Sequence, residues 1–408
     1  MHKHRTTNPL NIVVIVAALG YFVDIYDLIL FSIVRVPSLK AIGLDTDIAV
    51  KNAGVYLLNM QMIGMLLGGI VWGVLGDKRG RLSTLFLTIL LYSLANIANG
   101  FVQTLDQYAI LRVIAGFGLA GELGIGITLV SEIMTKETRA WGTSIVSGVG
   151  IVGAAFAFLV AQWGWREAYW VGGVIGLMLL ALRVYIQESG MFNSIKESTA
   201  RRGNFFSLFK DSKKFIKYIS SIFIGIPVWF TIGILVTFSK EFGVALGITG
   251  VVDPGKSIMF HYFGAALGSI ITGVISQLLK SRKKALWISI TALSFLCVWY
   301  FSASGYSTTT FYFILFLLGI AQGYWAVFVT VASEQFGTNI RSTVTTTVPN
   351  FVRGATVPML IWWKYLTSSI GIIQASMIVG AVVIALAITA VFFLEETHAK
   401  ELDYIEVE

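Results

Sequence analysis

The feature that most constrains this chain is a short charged turn between two long apolar runs. The runs cover 53–72 and 82–98, and the turn from Gly73 to Arg81 reads Gly-Val-Leu-Gly-Asp-Lys-Arg-Gly-Arg. An apolar stretch of about 20 residues spans a lipid bilayer as an α-helix. Glycines allow close backbone approach, while the charged side chains remain in water. The pattern predicts two membrane helices joined by a tight turn.

The composition extends this prediction to the whole chain. Of the 408 residues, 56% are hydrophobic and 13% are charged, whereas a soluble chain carries about 25% charged residues. The single cysteine, Cys297, excludes an intrachain disulfide. The net charge of +8 comes from short loops between apolar runs, so it does not indicate a nucleic-acid partner. We expect a monomeric integral membrane protein whose partners are the bilayer and a small-molecule substrate.

Twelve apolar runs are predicted to span the membrane. Their approximate bounds are 11–33, 53–74, 82–101, 107–131, 141–161, 168–186, 217–239, 257–279, 285–303, 310–333, 342–364 and 370–393. Lys and Arg are concentrated in alternate loops, which the positive-inside rule places in the cytoplasm. We therefore expect a bacterial inner-membrane protein with both termini in the cytoplasm.

A long polar and basic segment between spans six and seven predicts a division of the chain into two halves. The expected parts are an N-terminal six-helix bundle, a cytoplasmic loop, a C-terminal six-helix bundle and a cytoplasmic tail, at 1–186, 187–216, 217–394 and 395–408. The halves share a pattern. Glu132 and Arg139 follow span four at a spacing of seven, and Glu334 and Arg341 follow span ten at the same spacing.

The turn has the pattern G-x-x-G-D-x-x-G-R, which resembles the loop between helices 2 and 3 of the major facilitator superfamily. The resemblance covers the whole chain. It implies an all-α membrane protein with twelve transmembrane helices in two pseudo-symmetric six-helix bundles, with substrate bound between them. It also implies an inner gate of charged residues at the cytoplasmic helix ends. The gating residues are Asp77, Arg81, Glu132, Arg139, Glu334 and Arg341.

Ionisable groups at membrane depth are costly, so each is a functional hypothesis. Asp24 and Asp27 are three residues apart and share one helix face. At a rise of 1.5 Å per residue, Asp27 and Arg112 lie roughly 9 and 8 Å below the same membrane surface. We therefore expect Arg112 to pair with one aspartate and the other to take up a proton. The alternative is a static ion pair.

Two further buried charges are predicted to act in transport. Glu122, near the middle of span four, is expected to be a second proton site or a cation contact, or else a carboxyl group bonded to a neighbouring helix. Arg353 lies mid-span between Pro349 and Pro358, with no well-buried acid in its own half. We expect it to bind an anionic substrate, or alternatively to pair with Glu122 or an N-terminal aspartate.

Aromatic and amide side chains are expected to complete the substrate site. The candidates are Tyr26, Gln61, Trp229, Gln322, Tyr324, Trp325 and Asn350. His261, near the start of span eight, is interpreted as a packing residue rather than a proton relay.

Short motifs refine the expected function. The run from Asp24 to Asp27 resembles helix-1 motifs of aromatic acid:proton and metabolite:proton symporters, and Arg112 begins an R-x-x-x-G-x-G run similar to that of proton-coupled facilitators. The tail from Glu395 resembles that of sugar porters. From the buried charges we predict import of a small organic anion, with the proton as coupling ion and no other cofactor. Alternatives are a sugar or polyol carrier, a proton-antiport exporter and a non-transporting sensor. The lack of a catalytic constellation argues against an enzyme.

Overall fold

A computed structural model describes residues 8, 10–135, 138–183, 202–398, 400, 404 and 405, without the side chains of 139, 140 and 144. These residues form helices joined by short turns. In chain order the α-helices are α1 Ile12–Ala41, α2 Asp47–Arg79, α3 Arg81–Asn99, α4 Leu105–Leu119, α5 Glu122–Ile133, α6 Arg139–Ile151, α7 Gly153–Ala161, α8 Trp165–Leu182, α9 Ser212–Phe230, α10 Ser239–Ala245, α11 Pro254–Leu278, α12 Arg282–Phe301, α13 Thr308–Gln322, α14 Trp325–Glu334, α15 Arg341–Gly354, α16 Thr356–Ile370 and α17 Ile372–Phe393.

The helices correspond to the twelve predicted spans. Among the described residues, ten helical segments are long and apolar enough to cross a membrane. The sixth and eleventh predicted spans are also helical, as α8 and as α15 with α16. α15 carries two arginines and five Ser or Thr residues, which makes it less apolar than the others. Residues 187–201 of the predicted central loop lie outside the described residues, so the domain bounds remain predictions.

The predicted turn between spans two and three is a single glycine. Gly80 separates α2 from α3 with φ of 112°, a conformation that glycine adopts without steric cost. α2 runs on through Asp77, and α3 begins at Arg81. The charged residues of the motif therefore lie on helix ends rather than in a loop, which fixes their direction.

Five spans are interrupted near their middle, among them span five, where α6 gives way to α7 at Val152, and span ten, where α13 gives way to α14 at Gly323 and Tyr324. α4 gives way to α5 at Ala120 and Gly121, and α15 gives way to α16 at Ala355. α9 contains Pro227 and continues as a π-helical segment over Thr231–Val236. Such interruptions are tolerated in a membrane where the backbone is buried in protein or lines a cavity. They place Glu122 and Arg353 beside breaks in the helical backbone.

Equivalent glycine contacts in the two halves support their pseudo-symmetry. Gly116 on α4 packs on the backbone carbonyl of Gln61 on α2, and Gly319 on α13 packs on that of His261 on α11. A Cβ at either glycine would overlap the carbonyl, so glycine permits this close helix crossing. The halves meet mainly where α2 and α5 pack on α15, and where α1, α6 and α7 pack on α11.

Candidate functional site

A narrow pocket lies between the two halves. The N-terminal half contributes side chains of α1 and α6, including Tyr21, and the C-terminal half contributes Trp229, Tyr262, Gln322, Trp325 and Arg353 among others. Most of the lining is apolar or aromatic, with a few polar groups. Small-molecule sites usually have this composition.

The charged centre of the pocket is an ion pair between the halves. Arg353 Nη2 on α15 lies 3.6 Å from Asp24 Oδ2 on α1, and both side chains are almost fully buried. Arg353 Nη1 donates to Asn350 Oδ1 at 3.4 Å. The guanidinium carbon is 5.9 and 5.8 Å from the ring centres of Trp229 and Trp325. This arrangement is one alternative that the sequence left open, in which Arg353 pairs with an N-terminal aspartate.

Donors and acceptors in this cluster are incompletely satisfied. Among the described residues, neither carboxylate oxygen of Asp24 accepts a hydrogen bond, and Arg353 Nε and Trp325 Nε1 donate none. Buried polar groups are normally hydrogen-bonded. The cluster can therefore form further hydrogen bonds with a bound molecule.

Within the described residues, Arg112 does not form the ion pair with an aspartate that the sequence predicts. It donates to Gln61 on α2 and lies over the Phe31 ring at 4.6 Å. Phe31 lies four residues after Asp27 on α1 and therefore on the same helix face, so Arg112 lies on the face of α1 that carries Asp27, about one turn away from it. Asp27 is fully buried, and its oxygens have no hydrogen-bond partner among the described residues. Similar depth in the membrane did not determine which side chains meet.

Glu122 forms a second buried ion pair. Arg183, directly after α8, donates from Nη1 to Glu122 Oε2 at 3.0 Å and from Nη2 to the other oxygen. Its Nη1 also lies 3.2 Å from the carbonyl of Leu85 on α3. Glu122 is thus bonded to a neighbouring helix, one of the alternatives considered. The sequence interpretation missed Arg183, although an arginine inside a predicted span was a signal.

At the end of the molecule that carries the tail, here called the tail end, Asp77 joins the halves. Its carboxylate accepts from the backbone N–H groups of Ser342 and Thr343 at 3.1 and 2.7 Å, and from Thr343 Oγ1 at 2.7 Å. Ser342 and Thr343 lie in the first turn of α15. A carboxylate is favourable there because it satisfies free N–H groups and complements the helix dipole.

The other predicted gating residues extend this contact. Glu132 lies 2.8 Å from Arg81 Nη2 and 3.5 Å from Arg341 Nη1, so it is shared between the halves. Glu334 pairs with Arg282, which the sequence interpretation missed, at 3.4 Å. The side chain of the predicted gating residue Arg139 lies outside the described residues.

At the opposite end of the molecule, here called the far end, a pair that was not predicted joins the halves. Arg35 Nη2 on α1 lies 3.1 Å from Glu241 Oε1 on α10, and its guanidinium carbon is 4.8 Å from the Phe238 ring centre. α1 continues to Ala41, beyond the predicted end of span one, and this extension carries Arg35. Cross-half contacts thus exist above and below the pocket.

The predicted substrate residues fall into two groups. Arg353, Trp229, Gln322 and Trp325 line the pocket. The others bond to protein groups: Gln61 accepts from Arg112, Tyr26 donates to the Ala168 carbonyl, Tyr324 to the Ile224 carbonyl and Asn350 to the Ala120 carbonyl. The pocket residues Tyr21 and Tyr262 were missed. They carried no charge to mark them among many membrane aromatics.

Sequence comparison relates the chain to membrane transporters. A family model described as the Major Facilitator Superfamily matches residues 17–354. A probable 4-methylmuconolactone transporter of Cupriavidus pinatubonensis is 26% identical over 95% of this chain and 90% of its own length. A cis,cis-muconate transport protein of Acinetobacter baylyi is 26% identical over 93% of each chain. A gentisate transporter of Corynebacterium glutamicum is 24% identical over 92% of this chain and 86% of its own.

Structural comparison supports the same fold. XylE, described as a proton:xylose symporter, superposes with a TM-score of 0.74 at 15% identity, covering 96% of this chain and 97% of that one. At this identity the likeness concerns the fold alone. It confirms the predicted all-α membrane architecture of two pseudo-symmetric six-helix bundles.

Proposed function

This chain belongs to the Major Facilitator Superfamily, and we propose that it imports a small organic anion together with a proton. It is a multi-pass membrane transporter and not an enzyme, as its family and relatives show. The proposal adds the substrate class, the coupling ion and the direction. The relatives named for muconate, methylmuconolactone and gentisate support an organic-acid substrate.

The observation that carries the proposal is the ion pair between Asp24 and Arg353 in the pocket. Arg353 is a fixed cation between two indole rings, and its partner is a carboxylate from the other half. A substrate carboxylate has the same chemistry as Asp24, so it can take the place of Asp24 at the guanidinium. Arginine suits this role because its planar group binds carboxylates with two parallel hydrogen bonds.

Competition between the Asp24 carboxylate and the substrate carboxylate for Arg353 would couple transport of the anion to transport of a proton. While Asp24 is ionised it neutralises Arg353, and a second carboxylate would meet like-charge repulsion. Protonation of Asp24 removes that charge and frees the guanidinium for substrate. The proton on Asp24 and the anion on Arg353 would then enter together, and release of either would favour release of the other.

The cross-half contacts supply the two gates that alternating access needs. Asp77 with α15, and Glu132 with Arg341, would break when the tail end opens. Arg35 with Glu241 would break when the far end opens. We propose that the tail end faces the cytoplasm of a bacterial cell, with both termini inside. We also propose that the protein acts as a monomer and uses the proton as its coupling ion, with no other cofactor. Asp27 and Arg112 are proposed to assist proton binding.

Uptake by proteoliposomes tests the proposal. Labelled cis,cis-muconate and benzoate serve as probes, with and without an inward proton gradient. We expect accumulation that needs the gradient, and loss of uptake in Arg353→Gln. The double variant Asp24→Asn with Arg353→Gln removes both buried charges, so it keeps the protein folded where the single change leaves Asp24 unpaired.

Ser289→Ala is the matched control, because Ser289 contacts Thr272 between α11 and α12 and does not line the pocket. Uptake by the double variant equal to that of the control would contradict the role of Arg353. Competition by xylose but by no organic acid would favour the neutral-sugar alternative. Movement of the probes out of the proteoliposomes while protons move in would favour export by proton antiport.

A further inference from the structure

His261 makes two hydrogen-bond contacts from a fully buried position on α11. Its Nδ1 lies 3.1 Å from the Leu315 carbonyl oxygen and its Nε2 lies 2.9 Å from the atom assigned as Gln322 Oε1, with both partners on α13. A carbonyl oxygen only accepts, so Nδ1 must carry a proton. Whether Nε2 also carries a proton then decides which atom of the Gln322 amide faces the ring.

Two arrangements satisfy both contacts. If the ring is doubly protonated, Nε2–H donates to Gln322 Oε1. If the ring is neutral, Nε2 accepts from the Gln322 NH₂ group, with the amide turned by half a rotation about its last bond. The two amide orientations place nitrogen and oxygen at equivalent positions, so the hydrogen-bond network decides between them.

The surroundings favour the neutral ring. Among the described residues, no Asp or Glu oxygen forms an ion pair with His261. The nearby charges of the pocket, Asp24 and Arg353, pair with each other. A buried imidazolium without an acid partner is costly, whereas the neutral ring with two hydrogen bonds is fully satisfied.

We infer that His261 is a positioning residue that turns the Gln322 amide so that its carbonyl oxygen faces the pocket. Gln322 borders the pocket, and within the described residues its other amide atom has no hydrogen-bond partner. The pocket then presents donors at Arg353 and Trp325 and an acceptor at Gln322. This inference rests on the proposed function, and it makes Gln322 select anions that carry a hydroxyl group apart from the carboxylate.

Nitrogen NMR of protein with isotope-labelled histidine tests the orientation without any substrate. The chain has four histidines, and His261→Gln identifies the signal of interest. We expect one protonated and one hydrogen-bonded, unprotonated ring nitrogen at neutral pH, and a shift of the latter signal in Gln322→Leu. An imidazolium signal would mean that Gln322 turns its NH₂ group to the pocket, and would overturn the inference.

Equilibrium binding of benzoate and meta-hydroxybenzoate tests the selectivity. One hydrogen bond between neutral groups contributes enough for a preference of about 3- to 10-fold for the hydroxylated probe. Gln322→Leu should abolish the preference, His261→Phe should reduce it by releasing the amide, and Ser289→Ala should keep it. Benzoate binding by Ser289→Ala is the baseline with which both the histidine and the glutamine variants are compared.

The outcomes separate this inference from the proposed function. Equal binding of both probes, dependent on Arg353, would leave the organic-anion proposal intact and overturn the inference. If neither organic acid binds, the proposed substrate class fails and the selectivity falls with it, while the nitrogen signal still decides whether His261 orients Gln322.

Discussion

Arg353 Nη2 lies 3.6 Å from Asp24 Oδ2, and these two atoms belong to opposite halves of the transporter. This contact therefore does two things: with the contacts at both ends it helps to hold the halves together, and it occupies the only guanidinium that lines the described pocket. A change that neutralises or replaces the Asp24 carboxylate therefore affects both the contact between the halves and the availability of the Arg353 guanidinium. This links the binding chemistry of the pocket to the relative movement of the halves.

The pair of Glu122 and Arg183 is expected to be structural. Glu122→Gln leaves Arg183 buried without its counter-charge, and removing one partner of a buried pair costs about 3–5 kcal/mol. The double variant Glu122→Gln with Arg183→Gln should recover part of this loss. Thermal or denaturant unfolding in detergent measures the stability of the single and double variants. A single variant as stable as the natural protein would contradict the pairing.

The Asp77 contact is expected to hold the tail end closed. Asp77→Ala removes an acceptor for two N–H groups of α15, a capping loss of about 0.5–2 kcal/mol. Spin labels on Lys78→Cys and Lys280→Cys, both exposed, in a Cys297→Ser background should report a larger fraction of long distances. Ser83→Ala is the control, because within the described residues its hydroxyl donates to the carbonyls of Arg79 and Gly80 at the junction of α2 and α3, both in the same half. Equal distance distributions for both variants would rule out the gate.

The Arg35 contact is expected to hold the far end closed. Glu241→Gln leaves the buried Arg35 without its partner, so labels at the exposed Gln103 and Val251 should move apart more often. Lys240→Gln is the matched control, since the exposed pair of Lys240 with Asp47 spans 4.0 Å and such pairs contribute little. A larger effect from Lys240→Gln than from Glu241→Gln would refute this prediction.

The tail is expected to remain docked in mild acid. Burial raises the pKa of Glu396, but hydrogen bonds from Ser281 and from backbone N–H groups of α12 outweigh it and keep the pKa below its ordinary value. A lowered pKa in the folded state means that the stabilisation is complete above the ordinary glutamate pKa, and is lost as pH falls through the folded pKa. Hydrogen exchange of residues 394–398 should therefore stay slow until strongly acidic pH. Fast exchange of these residues already at mildly acidic pH would contradict the prediction that the tail remains docked.

Some features could be predicted because they are local. The apolar runs and the glycine turn depend on neighbouring residues, so the spans and the Asp77–Arg81 hairpin followed from the sequence. Partner choice among buried charges depends on side-chain packing to within one helical turn, which a depth counted along the sequence does not give. For this reason Arg112 was expected beside Asp27 and instead contacts Gln61.

Charges near span ends were overlooked for another reason. Long side chains there usually extend to the membrane surface, so the position of Arg183 inside a predicted span was a weak signal, and Arg35, just beyond the predicted end of span one, gave none. In the structure both are buried by helices that are distant in sequence. The substrate class could be approached from sequence because Arg353 lies far from any span end and needs a counter-charge.

Proton uptake on anion binding tests the central claim most directly. Benzoate or cis,cis-muconate is added to the purified protein in weakly buffered solution at neutral pH, and a pH indicator reports the proton change. The account predicts uptake of protons with anion binding, and anion binding without that uptake in Asp24→Asn. Anion binding without proton uptake in the natural protein, or unchanged uptake in Asp24→Asn, would contradict the exchange of carboxylates at Arg353.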